Sequence, residues 1–325
     1  MSVLSKFSHG DDSFRLGFGC SNLGSDLDYK ASCKLIEFAY ECGFRHFDVA
    51  PSYGHGMAER ILGDTLAPVR DTVTIVTKTG IPHPKSVSGF RLLRRLLLPV
   101  KSMFPSVWKA SSGQARRMVA PPGKFSKADI LVSVEESLRR LQTDWVDTLL
   151  LHEVQPQDVN EELMDTLDDL RTLGRVRAIG LGTSIESTVT LLDRHPDVFD
   201  VVQVNHYWGA FAPELSSGTH RLITHRCLRS GRSVIESAPF QERLAHDETA
   251  RELKDALSDP MSVPALLLTA GLSQNASGRL LISTSKRERV AQFAEIGRAL
   301  GAGSLVHQLN DHLAKSAATI SLPDN

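Results

Sequence analysis

The residue types that could do chemistry gather at a few places. Asp48, Lys78 and His152 each stand at or just beyond the end of a short apolar run, and Tyr53 follows Asp48 closely in the chain. A carboxylate, an ammonium, an imidazole and a phenol can together hold, donate and accept protons. Taken singly, each has a plain structural explanation: a lysine after a strand is usually solvated, and an aspartate there can cap a turn. His152-Glu153 does not open a metal motif, because His-Glu-x-x-His would need histidine where Pro156 stands. A second grouping is Ser283-Thr284-Ser285-Lys286-Arg287-Glu288-Arg289. Ser285 and Glu288 have capping-box spacing, so the free amides and positive dipole end of a helix would meet Lys286, Arg287 and Arg289. An anion belongs at such a place.

These residues need elements that bring them together. Apolar runs suited to strands fall at 16–19, 45–49, 72–77, 146–151, 176–181, 201–205, 233–236 and 279–282. Segments of helical period alternate with them. Residues 29–42 carry Cys33, Ile36 and Tyr40 on one stripe and stop at Gly43, and Ser126 to Asp129 is spaced like a cap ahead of Ile130, Val134, Leu138 and Leu141. Leu163, Leu167 and Leu170 form another stripe closed by Gly174, and Pro264 suits the start of a helix. Strict strand–helix alternation implies parallel strands with right-handed crossovers, and eight such units predict a single (β/α)8 TIM barrel domain over 1–325. All C-terminal strand ends of a barrel face one pole, so Asp48, Tyr53, Lys78 and His152 would converge on one mouth. The alternative is an open doubly wound sheet, whose glycine fingerprint is incomplete at both Gly17-Phe18-Gly19 and Gly180-Leu181-Gly182.

One segment breaks the rhythm. Residues 81–125 separate the third strand from its helix by about 45 residues, where 2 to 6 are usual. Between Ile81 and Ala128 there is no Asp or Glu, but there are ten Lys and Arg residues. A basic lid at the C-terminal face is the expected reading, with membrane contact as the less favoured one. Over the whole chain, 37 Lys and Arg balance 38 Asp and Glu. That balance leaves no global electrostatic footprint for nucleic acid. Four cysteines without a Cys-x-x-Cys pair suit a reducing compartment. A polar stretch at 1–12 and no long apolar run point to a cytoplasmic protein. No Tyr-x-x-x-Lys, Gly-x-Ser-x-Gly or phosphate-binding Gly-x4-Gly-Lys-Ser/Thr pattern occurs.

The chain resembles the aldo-keto reductase superfamily along nearly its whole length. Phe47-Asp48-Val49-Ala50-Pro51-Ser52-Tyr53-Gly54, Val76-Thr77-Lys78, Asp147-Thr148-Leu149-Leu150-Leu151-His152, Ala178-Ile179-Gly180 and Val202-Gln203-Val204-Asn205 follow in the expected order. The stretches from Leu16 to Gly24 and from Val234 to Phe240 are most similar to the aldose and galactose dehydrogenase branch. The resemblance implies a catalytic tetrad of Asp48, Tyr53, Lys78 and His152. Lys78, paired with Asp48, would lower the phenol pKa of Tyr53 and make it a proton donor, and His152 would orient and polarise a carbonyl.

Hydride chemistry needs a cofactor, and the resemblance implies NADP(H), with NAD(H) as the alternative. It places Gly19 and Cys20 beside the nicotinamide ribose, Thr183 and Gln203 on the carboxamide, Asp48 and Ser237 at the nicotinamide, and Ser283, Thr284, Ser285, Lys286, Arg287 and Arg289 at the adenosine end. The expected substrate is a small carbonyl compound or polyol. Three positions depart from the family pattern: Phe293 replaces an adenine-contacting asparagine, Ser237 stands for an aromatic after strand seven, and 241–247 replaces a Gly- and Leu-containing covering loop. A cofactor-binding regulatory subunit with little turnover is the competing reading.

Overall fold

The computed structural model describes residues 14–25, 27–82, 123–209, 215, 220–298 and 303–319. Its strands are β1 (Leu16–Gly19), β2 (His46–Asp48), β3 (Thr74–Thr79), β4 (Val146–His152), β5 (Val176–Gly182), β6 (Val201–Asn205), β7 (Arg221–His225) and β8 (Arg279–Ile282). They pair in parallel, in chain order, and close into a barrel. Closure comes from β1, which lies between β2 (Phe18 opposite Phe47) and β8 (Leu16 opposite Leu280). The expected (β/α)8 architecture is therefore present.

Helices α1 (Tyr29–Glu41), α2 (Ala58–Leu66), α3 (Lys127–Leu141), α4 (Glu161–Thr172) and α5 (Ile185–Arg194) connect the early strands. Their starts follow from side-chain caps. Asp28, Ser126, Asn160 and Ser184 accept the amides of Ala31, Asp129, Leu163 and Ser187 at 2.8, 3.3, 2.9 and 3.2 Å. After β7 come α6 (Cys227–Ile235), α7 (Ala238–His246), α8 (Arg251–Ser258) and α9 (Ser262–Gln274), the last with Pro264 in its first turn. Helices α10 (Arg287–Arg298) and α11 (Ser304–Ala317) follow β8.

The seventh strand lies elsewhere than expected. Residues 233–235 complete α6, whose buried Cys227, Gly231, Val234 and Ile235 sit at helical spacing. Strand β7 is instead Arg221–His225, with Leu222, Ile223 and Thr224 buried. A four-residue apolar run has too little length to declare its period, and here the stripe beginning at Cys227 decides it.

Two apolar layers result from strand alternation. Outward residues such as Phe18, Phe47, Ile75, Leu149 and Leu151 pack with the helices in one large core. Inward residues Val76, Leu150, Ala178, Val201, Ile223 and Leu281 form a separate cluster that fills the barrel. Because side chains on a strand repeat every two residues, the next inward positions toward the C-terminal pole are Lys78, His152, Gln203, His225 and Ser283. A polar layer thus sits on an apolar floor.

Residues 83–122, and with them the expected lid, lie outside the described residues. The ends of the insertion meet at one place: the Lys124 amide donates to the Gly80 carbonyl at 2.8 Å. The insertion therefore departs from and returns to the C-terminal end of β3. Among the described residues no helix is long and apolar enough to cross a membrane, and no cluster of three metal-ligating side chains occurs.

Candidate active site

Asp48, the last residue of β2, is 3% exposed and lies at the centre of the polar layer. Its Oδ2 accepts from Lys78 Nζ at 2.5 Å and from Gln203 Nε2 at 2.7 Å. Lys78 is 1% exposed, so its charge is balanced by Asp48 inside the protein rather than by water. The carboxylate in turn is satisfied by two donors from β3 and β6.

Tyr53 reaches this layer through a tight turn. Its amide donates to the Ala50 carbonyl at 3.0 Å, and Gly54 follows with φ 57°. A Cβ on Gly54 would lie 1.7 Å from the Leu23 carbonyl oxygen, so no other residue fits there without displacing the backbone. The Tyr53 ring meets the His152 ring edge-on, with centroids 6.2 Å apart, and Lys78 Nζ lies 5.4 Å from the Tyr53 ring centroid. The four residues read from the sequence are thereby brought together.

The electrostatics differ from expectation. Burial pushes the Tyr53 phenol well above its ordinary value of 10, the Asp48 charge adds to the rise, and Arg226 opposes it. In this arrangement the Lys78 charge is matched by Asp48, so Tyr53 stays protonated across the neutral range. Burial also pushes His152 down to about 3, with help from Lys78. A neutral imidazole can donate one hydrogen bond without carrying a charge. Its buried Nδ1 has no hydrogen-bond partner among the described residues. The Cys20 thiol is pushed well up by burial, which makes it a poor nucleophile.

Several side chains fit a nicotinamide dinucleotide. Gly19 leaves the β1 backbone open beside Ser283: a Cβ there would lie 2.4 Å from the Ser283 hydroxyl, which donates to the Gly19 carbonyl at 2.9 Å. The Thr183 hydroxyl donates to the Val154 carbonyl at 2.9 Å, and Gln203 spends its amide group on Asp48. Both keep an acceptor oxygen, as a carboxamide NH2 requires. At the start of α10, Lys286 and Arg289 are exposed. Just before the helix the Thr284 hydroxyl accepts from the Lys286 amide at 3.2 Å. Arg287 turns back onto the protein, its guanidinium 4.1 Å from the Phe38 ring centroid.

Two expectations about the second half of the chain are corrected. Ser237 does not follow a strand. It caps α7, donating to the Val234 carbonyl at 2.6 Å and accepting from the Phe240 amide at 3.4 Å. Residues 241–246 belong to α7 rather than to a covering loop. Phe293, in keeping with its departure from the family pattern, is 3% exposed and packs in the main core. The end of β7 and the position after it belong to His225 and Arg226, which the sequence reading missed because it placed that strand at 233–236. Burial and Lys78 push His225 down to about 3. Correct placement of the Leu222-Ile223-Thr224 run is the signal that would have found them.

The family profile described as "Aldo/keto reductase family" matches residues 15–209, ending just past β6. D-threo-aldose 1-dehydrogenase of a Pseudomonas species is 26% identical over 246 residues, covering 73% of this chain and 69% of the relative. Aldo-keto reductase YhdN of Bacillus subtilis is 30% identical over 58% of this chain and 50% of its own length. Among solved structures, aldo-keto reductase AKR11C1 from Bacillus halodurans in its holo form superposes with a TM-score of 0.68 at 20% identity, covering 93% of this chain and 92% of that one. An aldo-keto reductase from Klebsiella pneumoniae in complex with NADPH gives a TM-score of 0.63 at 20% identity, over 91% of this chain and 90% of that one. At such identities these two structures establish a common fold.

Proposed function

Since this chain belongs to the aldo/keto reductase family of oxidoreductases, we propose that it interconverts a carbonyl compound and the corresponding alcohol or lactone with NADP(H), using Tyr53 as the proton donor. The observation that carries this reading is the cluster of contacts at the barrel mouth: Lys78 and Gln203 on Asp48, Lys78 beside the Tyr53 ring, and Tyr53 edge-on to His152. When bound, a nicotinamide dinucleotide would supply the hydride.

The protein residues do the remaining work. His152, held neutral, donates a hydrogen bond to the substrate oxygen, orients the carbonyl and stabilises the negative charge that develops on it. Tyr53, held protonated, gives its proton to that oxygen as the alkoxide forms, and takes one back in the oxidation direction. Asp48 holds the Lys78 ammonium in place, 5.4 Å from the Tyr53 ring centroid, as a charge-balanced pair beside the phenol. Gly19, Cys20, Asp48, Thr183 and Gln203 would hold the nicotinamide end, and Ser283, Thr284, Ser285, Lys286 and Arg289 the adenosine end. The four free cysteines suit the reducing cytoplasm.

The test is a panel of aldehydes, ketones and aldoses followed at the nicotinamide absorbance, with wild type and Tyr53→Phe side by side. Loss of roughly 100- to 10,000-fold in turnover, with unchanged cofactor binding, is expected for removal of the acid. Turnover near wild type in that variant would reject Tyr53 as the donor. Cofactor binding with no turnover of any panel member by the wild type would favour the regulatory-subunit reading.

A further inference from the structure

The polar side chains at the mouth are divided between the two halves of the barrel. Asp48, Lys78 and His152 stand on β2, β3 and β4, with Tyr53 in the turn after β2, whereas Gln203 stands on β6 and Thr183 just beyond β5. A hydrogen bond across the barrel joins the two groups. Gln203 Nε2 donates to Asp48 Oδ2 at 2.7 Å, between strands that lie four places apart in either direction round the closed sheet. Both side chains are buried, Gln203 at 5% exposure and Asp48 at 3%. Val201, two residues earlier on β6, belongs to the apolar cluster that fills the barrel, so strand alternation turns Gln203 to the same inner side.

The chemistry of the two groups fixes which end of the amide faces Asp48. The carboxylate already accepts from the Lys78 ammonium at 2.5 Å, so it has no proton to give, and Gln203 must present its NH2. Two donors from different walls of the barrel thus converge on one oxygen. Lys78 alone, carried on a flexible four-carbon stem, would let the ion pair turn as a unit, whereas a second donor from β6 leaves the carboxylate one orientation. Burial gives the contact weight, because water does not freely replace a donor lost from a buried carboxylate, and charge-assisted bonds are stronger than neutral ones.

We propose that Gln203 is a positioning residue for the reaction: by donating to Asp48 across the barrel, it fixes the carboxylate whose other partner, Lys78, stands 5.4 Å from the Tyr53 ring centroid. The proposal rests on the reductase reading of the same site. This role is separate from a contact with the cofactor carboxamide, which would use Oε1 and leave the Nε2 bond to Asp48 in place.

The full chain is assayed at saturating NADPH with 4-nitrobenzaldehyde and glyceraldehyde, in wild type, Gln203→Met and Gln203→Glu, from about pH 5.5 to 8. Methionine keeps the length of glutamine and removes the donor. Glutamate keeps an acceptor oxygen for the cofactor but sets a second carboxylate against Asp48. At pH 8, kcat should fall at least about tenfold in both variants, the loss expected for one charge-assisted bond. As the pH is lowered, kcat of Gln203→Glu relative to wild type should recover, because a protonated carboxyl can again donate to Asp48, while the ratio for Gln203→Met stays level. Loss of packing alone does not produce that split. NADPH affinity of Gln203→Glu, followed by fluorescence titration, should stay within about threefold of wild type. A kcat within about twofold of wild type in both variants at pH 8 overturns the proposal and leaves Gln203 with a cofactor contact only. A glutamate variant that follows the methionine variant at every pH also overturns it, as does loss of NADPH binding in Gln203→Glu, which would mean a mouth disturbed at large. Failure of the wild type to reduce either aldehyde while it binds NADPH counts against the reductase reading, and the proposal falls with it.

Discussion

Tyr53 and His152 both keep, in the folded chain, the protonation state that suits carbonyl reduction, and burial is the common cause. It raises the phenol and lowers the imidazole, so neither titrates between pH 6 and 8. At the other end of the site, Arg289 and Lys286 are exposed cations in the first turn of α10. A helix dipole favours an anion there by about 0.3–1 kcal/mol, and a charge-assisted hydrogen bond contributes about 1.5–3 kcal/mol more. In the proposed cofactor site both contributions would require the 2′-phosphate. Arg289→Ala should therefore weaken NADPH at least about tenfold, since 1.4 kcal/mol is one decade, and leave NADH nearly unchanged. Fluorescence titration of both cofactors decides the matter; equal loss of the two would remove Arg289 from cofactor selection.

At the scale of elements, the strand that carries Lys78 is clamped from outside the barrel. Glu59 on α2 is 1% exposed; it accepts from the Thr77 hydroxyl at 2.8 Å and from Arg140 on α3 at 2.9 Å. Asp147 at the start of β4 accepts from the Ile75 amide and from Arg70, both at 2.9 Å. These bonds fix the register that turns Lys78 inward, because a slip of one residue would send it to the helix side. Glu59→Ala breaks a buried ion pair and strands the Thr77 hydroxyl, and such losses cost about 3–5 kcal/mol. Urea denaturation should show a destabilisation of that order, and a loss below about 1 kcal/mol would mean that the clamp contributes little.

At the scale of the whole molecule, a polar layer is buried between an apolar floor and the mouth, and this makes the fold sensitive to acid. His152 and His225 are pushed down to about 3 and His206 to about 4, against an ordinary histidine near 6.5. Between those values the unfolded chain binds protons that the folded chain refuses, so stability decreases as pH falls from 6.5 toward 3. Melting temperatures should be level above pH 7 and drop progressively below about 6.5. In a His152→Gln, His225→Gln double variant the drop should be shallower. An equal pH dependence in the two proteins would place the acid sensitivity elsewhere.

By itself the sequence determined the barrel and the identity of its central residues. Eight alternating units, capped by residues such as Asp28 and Ser126, leave few ways to bury their apolar faces, and Asp48, Lys78 and His152 sit where strand periodicity ends. Long-range packing decided the rest. The run at 233–236 is too short to announce its own period, so only docking of Cys227, Gly231, Val234 and Ile235 against neighbouring elements could make it a helix and give the seventh place to Arg221–His225. That choice moved Ser237 out of the expected site and put His225 and Arg226 at the mouth. The protonation states of Tyr53 and His152 likewise emerged only on folding, because burial and the charges of Asp48, Lys78 and Arg226 act through space between residues far apart in the chain.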